Sequence, residues 1–237
     1  MTKNTKIYFV AMLCIVVLCL VLGIATRNSY VGYSSFAQME EEENLQGYPV
    51  QISDAGEYDE FAAPIDHYSG LEEASDLIAK VSATNERKMF PYTATKTKVI
   101  VEEVWKGDAE IGQPVFIYEP ANFSYSVSKT YQSTGGYQIM EEGKEYYVFL
   151  QKLKTAEGYK MSDQEKDTYL PSTASYSKYP VQEGDVEVLN KKRLNNGGYS
   201  YGEIQNEEII TSDQKILLRY NKIKEEVLKA DLYSRAY

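Results

Sequence analysis

The longest uninterrupted apolar segment of the chain runs from residue 7 to residue 25 and contains no charged residue. At about 1.5 Å per residue, a helix of this length spans about 28 Å, close to the roughly 30 Å apolar core of a bilayer. Lys3 and Lys6 precede the run, and four consecutive acids at 40–43 follow it. The positive-inside rule then predicts a cytoplasmic tail over 1–6, a single-pass transmembrane anchor over 7–25, and an extracellular remainder at the plasma membrane.

A cleaved signal peptide is the alternative interpretation of this segment. Gly23 and Ala25 supply the small residues that a cleavage site after Ala25 would need. The apolar run is longer than the usual signal-peptide core of about 7–15 residues, which favours a retained signal anchor. Cys14 and Cys19 each follow a leucine, whereas a lipid-attachment cysteine follows a small residue, so a lipoprotein is disfavoured.

The clearest strand pattern lies between residues 92 and 104. Alternate positions from Thr93 through Thr95, Thr97 and Val99 to Val101 share one phase, as in a strand with one buried face. The phase slips at Glu102 and Glu103, because Val104 falls on the opposite side. We predict a β-bulge there, which returns Val104 to the apolar face and bends the strand.

Shorter apolar runs flanked by turn residues predict further strands at 77–81, 115–118 and 145–153. Together with residues 92–104 they predict a closed or nearly closed antiparallel barrel. The residues expected to point into it are Val99, Val101, Phe116, Val148 and Leu150. The polar stretch 119–137 is long enough for a binding loop or a disordered insert.

The remaining segments complete the predicted organisation. Residues 26–70 show no sustained period and are interpreted as an extracytoplasmic tether, with local docking near Tyr48–Ile52. The barrel domain is assigned to 71–190 and a loop to 191–210. An amphipathic helix is predicted over 211–233, where Thr211 and Gln214 have capping-box spacing. Apolar residues recur on one face of it, namely Ile216, Tyr220, Ile223 and Val227.

The charge and cysteine content of the chain limit which kinds of partner it could bind. Three of the 25 basic residues and none of the 35 acidic residues lie within residues 1–27, so the exported part has a net charge of −13. That sign argues against nucleic acid and against docking on anionic lipid. The exported part has no cysteine and therefore no disulfide, which suits the envelope of a Gram-positive bacterium better than a eukaryotic secreted domain. Beyond the anchor lie 21 of the 22 tyrosines, a bias that favours sheet.

The order of elements from residue 76 to 161 resembles a five-stranded OB-type barrel. More narrowly, it resembles the N-terminal domain of tissue inhibitors of metalloproteinases and the related netrin-like modules, which also occur in exported proteins of Gram-positive bacteria. The resemblance is carried by Trp105-Lys106-Gly107 and by Gly143 three residues before Tyr146. It implies a mainly β fold with an OB-like barrel. Inhibition does not carry over, because those inhibitors chelate zinc with an N-terminal cysteine and no cysteine follows the anchor here.

Few residues offer catalytic or metal chemistry. His67 is the only histidine, and it lies in the predicted tether, so a Ser-His-Asp arrangement is not expected. Asp163, Glu165 and Asp167 alternate like calcium ligands but lack the glycine and distal glutamate of an EF-hand loop. We predict no cofactor and no metal site. For binding we select Tyr125, Tyr131 and Tyr137, because aromatic rings in the long insert could stack on sugars.

Three functions remain open at this point. The first is a non-enzymatic, membrane-anchored module that binds an envelope protein or a cell-wall component. The second is an accessory subunit of a membrane complex, and the third is a cell-wall glycan hydrolase with a carboxylate pair. An enzyme should bring two acids into one cleft, whereas a binding module should present an exposed aromatic patch.

Overall fold

The computed structural model describes residues 3–29, 33, 36–54, 65–90, 94–125, 128–182 and 184–234. The chain divides into two compact units, residues 1–34 and residues 35–237. The helices are α1 (Lys3–Ser29), α2 (Phe36–Glu42), α3 (Tyr68–Glu73), α4 (Asp163–Lys166), α5 (Lys191–Asn195), α6 (Tyr201–Ile204) and α7 (Gln214–Ser234). The strands are β1 (Val50–Ser53), β2 (Leu77–Phe90), β3 (Ala94–Lys106), β4 (Pro114–Glu119), β5 (Ala121–Ser124), β6 (Thr130–Thr134), β7 (Glu145–Lys152), β8 (Thr168–Pro171) and β9 (Lys178–Pro180).

The first unit contains the helix α1, which covers the apolar run 7–25. Large apolar side chains along it are exposed, as at Leu13 (65%) and Ile24 (60%). Among the residues whose side chains the structure describes, no helix is long and apolar enough to span a membrane.

The second unit is built on a six-stranded sheet in the order β2, β3, β4, β8, β7, β9, and β2 also pairs with β7. The β2–β7 pairing runs from Leu77 opposite Leu150 to Ser82 opposite Glu145. One side of the curved sheet buries an apolar core. Its fully buried members include Val81, Val99, Val101, Val115, Ile117, Val148 and Leu150.

The protein is therefore a mixed α/β fold with a large sheet and a C-terminal helix. The predicted closed antiparallel barrel is wrong, because the sheet is mixed. β4 and β8 run parallel and share only two residue pairs, Phe116 with Thr168 and Ile117 with Tyr169. A parallel neighbour needs a long connection, and the chain between β4 and β8 provides one.

In the described part of the predicted tether, the local docking expected near Tyr48–Ile52 is confirmed, but the segment is more folded than an extended tether. A second sheet has the order β1, β6, β5, and β1 from the tether pairs with β6 in parallel. The 3₁₀ turn Leu45–Gly47 separates α2 from β1, and Met39, Tyr48 and Val50 are buried. These elements are too short to show a period, so the sequence pattern resembled an extended segment. The predicted tether positions 55–64 lie outside the described residues.

The phase of β3 is confirmed, together with its bulge. Lys80 pairs with Glu103 while Val81 pairs with Val101, so Glu102 is the additional residue, and Val104 packs against the core. The inward orientation of Val99, Val101, Val148 and Leu150 is also confirmed. Phe116 was assigned wrongly, because its neighbours Val115 and Ile117 are the buried residues of β4 and Phe116 is half-buried. A continuous apolar run does not fix which of its alternate residues point inward.

The C-terminal helix is confirmed as α7, and its apolar face joins a second core behind the sheet. The residues buried there include Leu217, Tyr220, Ile223 and Val227. The cap differs from the prediction, because Asp213 Oδ1 accepts a hydrogen bond from the Lys215 amide at 2.8 Å. The predicted loop 191–210 contains two short helices, α5 and α6.

Val101→Asp tests the core of the larger sheet. Val101 is 0% exposed, and an unpaired carboxylate there should cost several kcal/mol, a large part of a typical stability of about 5–15 kcal/mol. The thermal unfolding midpoint of the variant should fall sharply. Ile111→Asp is the matched control, because Ile111 is 74% exposed and should change stability by less than about 0.5 kcal/mol. Equal melting of Val101→Asp and the parent would show that the assigned strand phase is wrong.

Candidate functional site

The outward side of β2, β3 and β4 carries alternating lysines and aromatic rings. Because successive side chains of a strand point to opposite sides, the phase that buries Thr95, Thr97 and Val99 turns Lys96 and Lys98 outward. Strand pairing then places other side chains beside these two lysines. Lys96 lies opposite Lys88 and Tyr118, and Lys98 lies opposite Phe116. We call this surface the lysine–aromatic face, formed by Lys88, Phe90, Lys96, Lys98, Phe116 and Tyr118.

The lysines of this face lie over its rings. Lys96 Nζ is 4.6 Å from the ring centroid of Phe116 and 5.4 Å from that of Tyr118. Lys88 Nζ is 5.2 Å from the Phe90 centroid, and the Phe90 and Tyr118 rings meet edge to face at 5.6 Å. These are cation–π distances, and the half-buried rings hold the ammonium groups close to the sheet.

The positive charges of the lysine–aromatic face are only partly compensated. Lys98 Nζ pairs with Glu86 at 2.8 Å. Among the described residues, no carboxylate oxygen lies within 4.0 Å of Lys88 Nζ or Lys96 Nζ. Burial is the main cause that lowers the pKa of Lys96, while the charge of Glu165 acts in the opposite direction. An anion could therefore approach these two ammonium groups without displacing a bound carboxylate.

The connection between β7 and β8 extends to the same face. Ser162 caps α4 with a reciprocal hydrogen-bond pair to Glu165. Tyr159, which is 54% exposed, donates from its hydroxyl to Glu165 Oε1 at 2.6 Å. The Tyr159 hydrogen bond, followed by those from Ser162, lowers the pKa of Glu165 to about 2. Glu165 is therefore a fixed negative charge whose field reaches Lys96.

The acids that alternate along α4 do not converge on a metal site. Asp163 pairs with Lys166 at 2.7 Å, and Asp167 accepts a hydrogen bond from Gln113 at 3.0 Å. No group of three or more metal-binding side chains occurs in the part of the chain that the structure describes. His67 precedes α3 on the surface, where its ring pairs with Asp66.

Two of the three tyrosines predicted to bind sugars are buried. Tyr131 is 0% exposed, its ring lies 4.9 Å from that of Phe123 and 4.8 Å from that of Tyr201, and its hydroxyl donates to Gln138 at 2.7 Å. Tyr137 is 4% exposed. The prediction is wrong for these two residues, because the insert folds into β5 and β6 and its rings become core. Tyr125 is half-buried, and its role stays a prediction.

A buried lysine stabilises the interior beneath this insert. Lys178 Nζ lies 4.6 Å from the Tyr137 ring centroid and 5.0 Å from that of Tyr146, and it donates a hydrogen bond to the Gln138 carbonyl. Burial lowers the pKa of Lys178 to about 8, although the nearby charge of Glu119 acts in the opposite direction. Tyrosine rings enclose the amino group, so its role is structural.

Two of the cavities that the described residues of this unit form lie away from the lysine–aromatic face. The larger, of about 1060 Å³, lies between β1 and α7 and is lined by Ile52, Tyr176 and Arg219 among others. The smaller, of about 500 Å³, lies between α2, the end of β2 and α6, with Glu40 and Arg87 on its walls.

No family model, curated protein or solved structure matches the chain. Function is therefore argued from the geometry of the described residues. The sequence analysis did not predict the lysine–aromatic face, although the alternation of residues along β3 indicates part of it. The phase that predicts a buried Thr97 and Val99 also predicts that Lys96 and Lys98 share the opposite side of the strand.

Proposed function

We propose that this protein is a non-enzymatic binding module of the cell envelope, which holds an extended anionic polymer with sugar rings on its lysine–aromatic face. The observation that carries the proposal is the juxtaposition of half-buried rings with two ammonium groups, those of Lys88 and Lys96, that have no carboxylate oxygen within 4.0 Å among the described residues. Ammonium groups attract the anionic groups of such a polymer, and aromatic rings pack against the apolar faces of its sugars.

The negative net charge of the chain should confine the binding of an anionic polymer to this face. The chain has a net charge of −10, so a polyanion is repelled by most of the surface. Binding then depends on the local geometry of Lys88, Lys96 and Lys98 and should weaken as salt screens their attraction.

The same proposal takes the larger sheet to be a partly open OB-type barrel, as the sequence resemblance implies. Support comes from the pairing order β2, β3, β4, β8, β7 and from the additional pairing of β7 with β2. OB folds bind oligosaccharides and oligonucleotides across their second and third strands and the adjacent loops. In this chain those strands are β3 and β4, which carry four of the six residues of the lysine–aromatic face.

The proposal places the module outside the cell, held by a single-pass anchor with its N-terminus in the cytoplasm. Support comes from the apolar run 7–25, the lysines before it and the acids after it. Mass spectrometry of the membrane fraction should detect peptides from residues 1–27. A soluble species that begins at Thr26 would contradict the anchor.

Titration with dextran sulfate, with neutral dextran as the reference, tests the binding site. The full-length protein should bind dextran sulfate and not dextran. The variant Lys88→Gln, Lys96→Gln, Lys98→Gln should bind at least tenfold more weakly, which corresponds to about 1.4 kcal/mol. A matched control replaces three exposed lysines elsewhere, Lys191, Lys192 and Lys215, with glutamine and should bind like the parent. Equal weakening in both variants would indicate general charge attraction and contradict the proposed face.

A further inference from the structure

The cavity of about 500 Å³ is separate from the lysine–aromatic face. It lies between α2, the end of β2 and α6. Arg87 lines it, and Arg87 precedes Lys88 on β2, so the two side chains leave opposite sides of the strand. The volume lies within the range of about 300–1,000 Å³ typical of small-molecule sites. A ligand in this cavity would therefore not compete with one on the lysine–aromatic face.

One side of the cavity carries negative charge. Glu40 and Glu142 line it, and neither has an ion-pair partner within 4.0 Å among the described residues. Two neighbouring carboxylates, Glu43 and Glu141, are paired with Lys129 and Lys144 at 2.6 Å each. Burial raises the pKa of Glu40, the charge of Arg87 lowers it, and the like charge of Glu142 raises it. A cation placed between Glu40 and Glu142 would relieve this repulsion.

The other side of the cavity offers hydrogen-bond donors. The Arg87 guanidinium stacks on the Phe36 ring at 5.1 Å and donates from one terminal nitrogen to the Met140 carbonyl. Its Nε has no hydrogen-bond partner within the described part of the chain and is buried, so the guanidinium would meet a ligand through its remaining terminal N–H groups. The Tyr201 hydroxyl likewise has no hydrogen-bond partner among the described residues, and its charge environment includes both Arg87 and Glu40. A carboxylate is the group that accepts from a guanidinium and a phenol together.

We propose that this cavity binds a free α-amino acid or a similarly small zwitterion. Its ammonium group would lie between Glu40 and Glu142, and its carboxylate would lie against Arg87 and Tyr201. The cavity wall also includes Leu45, Phe123 and Met140, but these side chains are buried, so the choice between ligand side chains is left to the titration. Both charges of the ligand are needed, because the wall presents two carboxylates, Glu40 and Glu142, as well as the Arg87 guanidinium.

Isothermal titration of the full-length protein with L-leucine and L-phenylalanine tests the proposal. At least one of them should bind. Isopentylamine, which lacks the carboxylate of leucine, and N-acetyl-L-leucine, which lacks its ammonium group, should bind at least tenfold more weakly. The variant Lys88→Gln, Lys96→Gln, Lys98→Gln should bind the amino acid like the parent, which separates this site from the lysine–aromatic face.

Glu40→Gln is the decisive substitution, because Glu40 is solvent-accessible and its replacement should leave the fold intact. It should weaken amino-acid binding at least tenfold, whereas the exposed Glu110→Gln should not change it. Arg87→Lys keeps the charge but loses the fork of donors and should also weaken binding. Absence of binding by both amino acids, equal binding of isopentylamine, or full binding by Glu40→Gln would overturn the proposal. So would release of sugar from cell-wall glycan that depends on Glu40 and Glu142, since this would make the pair catalytic.

Discussion

The contribution of Lys178 to the free energy of unfolding should rise between pH 8 and pH 10.5. The pKa of this fully buried lysine is lowered from 10.5 to about 8, chiefly by burial. Within that window the unfolded chain binds the proton and the folded protein has lost it, so stability increases with pH. A shift of about 2.5 pKa units corresponds to an increase on the order of 3 kcal/mol. Below pH 8 Lys178 is protonated in both the folded and the unfolded state, and the free energy of unfolding is then reduced by the full cost of burying its charge.

The buried tyrosines should reverse this trend at higher pH. Burial raises the pKa of Tyr131, Tyr137, Tyr179 and Tyr220 well above 10 in the folded protein. The unfolded chain loses those protons above pH 10 while the folded protein keeps them, so stability falls there. The maximum of stability is therefore expected between about pH 9 and pH 10, rather than near neutrality.

Urea unfolding at pH 7.5, 8.5 and 9.5 measures the effect of Lys178. The parent and the control Lys191→Met, in which an exposed lysine is replaced, should both become more stable across this range. Lys178→Met should lose the increase, whatever its absolute stability, because the titrating group is absent. A parent stability that is flat or falling from pH 7.5 to 9.5 would contradict the assignment, as would an unchanged rise in Lys178→Met.

Removal of residues 1–54 should prevent the remaining chain from folding. Several large apolar side chains within this segment are buried against the rest of the unit, namely Phe36, Met39, Leu45, Tyr48 and Val50. Burial of each contributes about 1.5–3 kcal/mol, and together they approach a typical total stability of about 5–15 kcal/mol. The truncation also removes β1 and exposes the edge of β6 with its unpaired backbone groups.

The matched control is a protein that begins at Ser35, which keeps the whole second unit. It should unfold cooperatively on heating, with a sharp change in circular dichroism. The protein that begins at Ala55 should lack this transition and should aggregate. Cooperative unfolding of both proteins at similar temperatures would show that residues 35–54 are the simple tether that the sequence pattern predicted.

Strand phase was predictable from the sequence wherever polar and apolar residues alternate. In β3 the alternation fixed the buried side, and a single slip in it located the bulge at Glu102. In β4 the residues from Val115 to Tyr118 are all apolar or aromatic, and periodicity cannot select the buried ones. The contacts of Val115 and Ile117 with the core decide the phase, and the sequence does not contain that information.

The second sheet was not predictable for a different reason. β1, β5 and β6 are short, and β6 pairs with both of the others. Rings from α2 and α6 pack on Phe123 of β5, so non-local contacts rather than the local pattern stabilise this sheet. Tyr131 illustrates the consequence. Its position in a polar insert predicts an exposed side chain, but in the folded protein Phe123 and Tyr201 pack against its ring. The parallel pairing of β8 with β4 also depends on residues far apart in the sequence, so the local pattern does not predict it.

The lysine–aromatic face combines two residue types from three strands, so no local motif in the sequence marks it. The predicted sugar-stacking residues are tyrosines of the insert, whereas the half-buried rings beside the lysines belong to Phe90, Phe116 and Tyr118. Lys96 could be placed on the outward side of β3 from periodicity alone. Its position beside Lys88 required the pairing register of β2 and β3, which only the structure supplies.

Retention on purified cell-wall material is the most direct test of the proposed function. The full-length protein should be retained at low salt and released as salt increases, without soluble sugar fragments appearing. The variant Lys88→Gln, Lys96→Gln, Lys98→Gln should pass through, while the control variant at Lys191, Lys192 and Lys215 should be retained like the parent. Equal retention of all three proteins would contradict binding through the lysine–aromatic face, and steady release of sugar by the parent would contradict a non-enzymatic role.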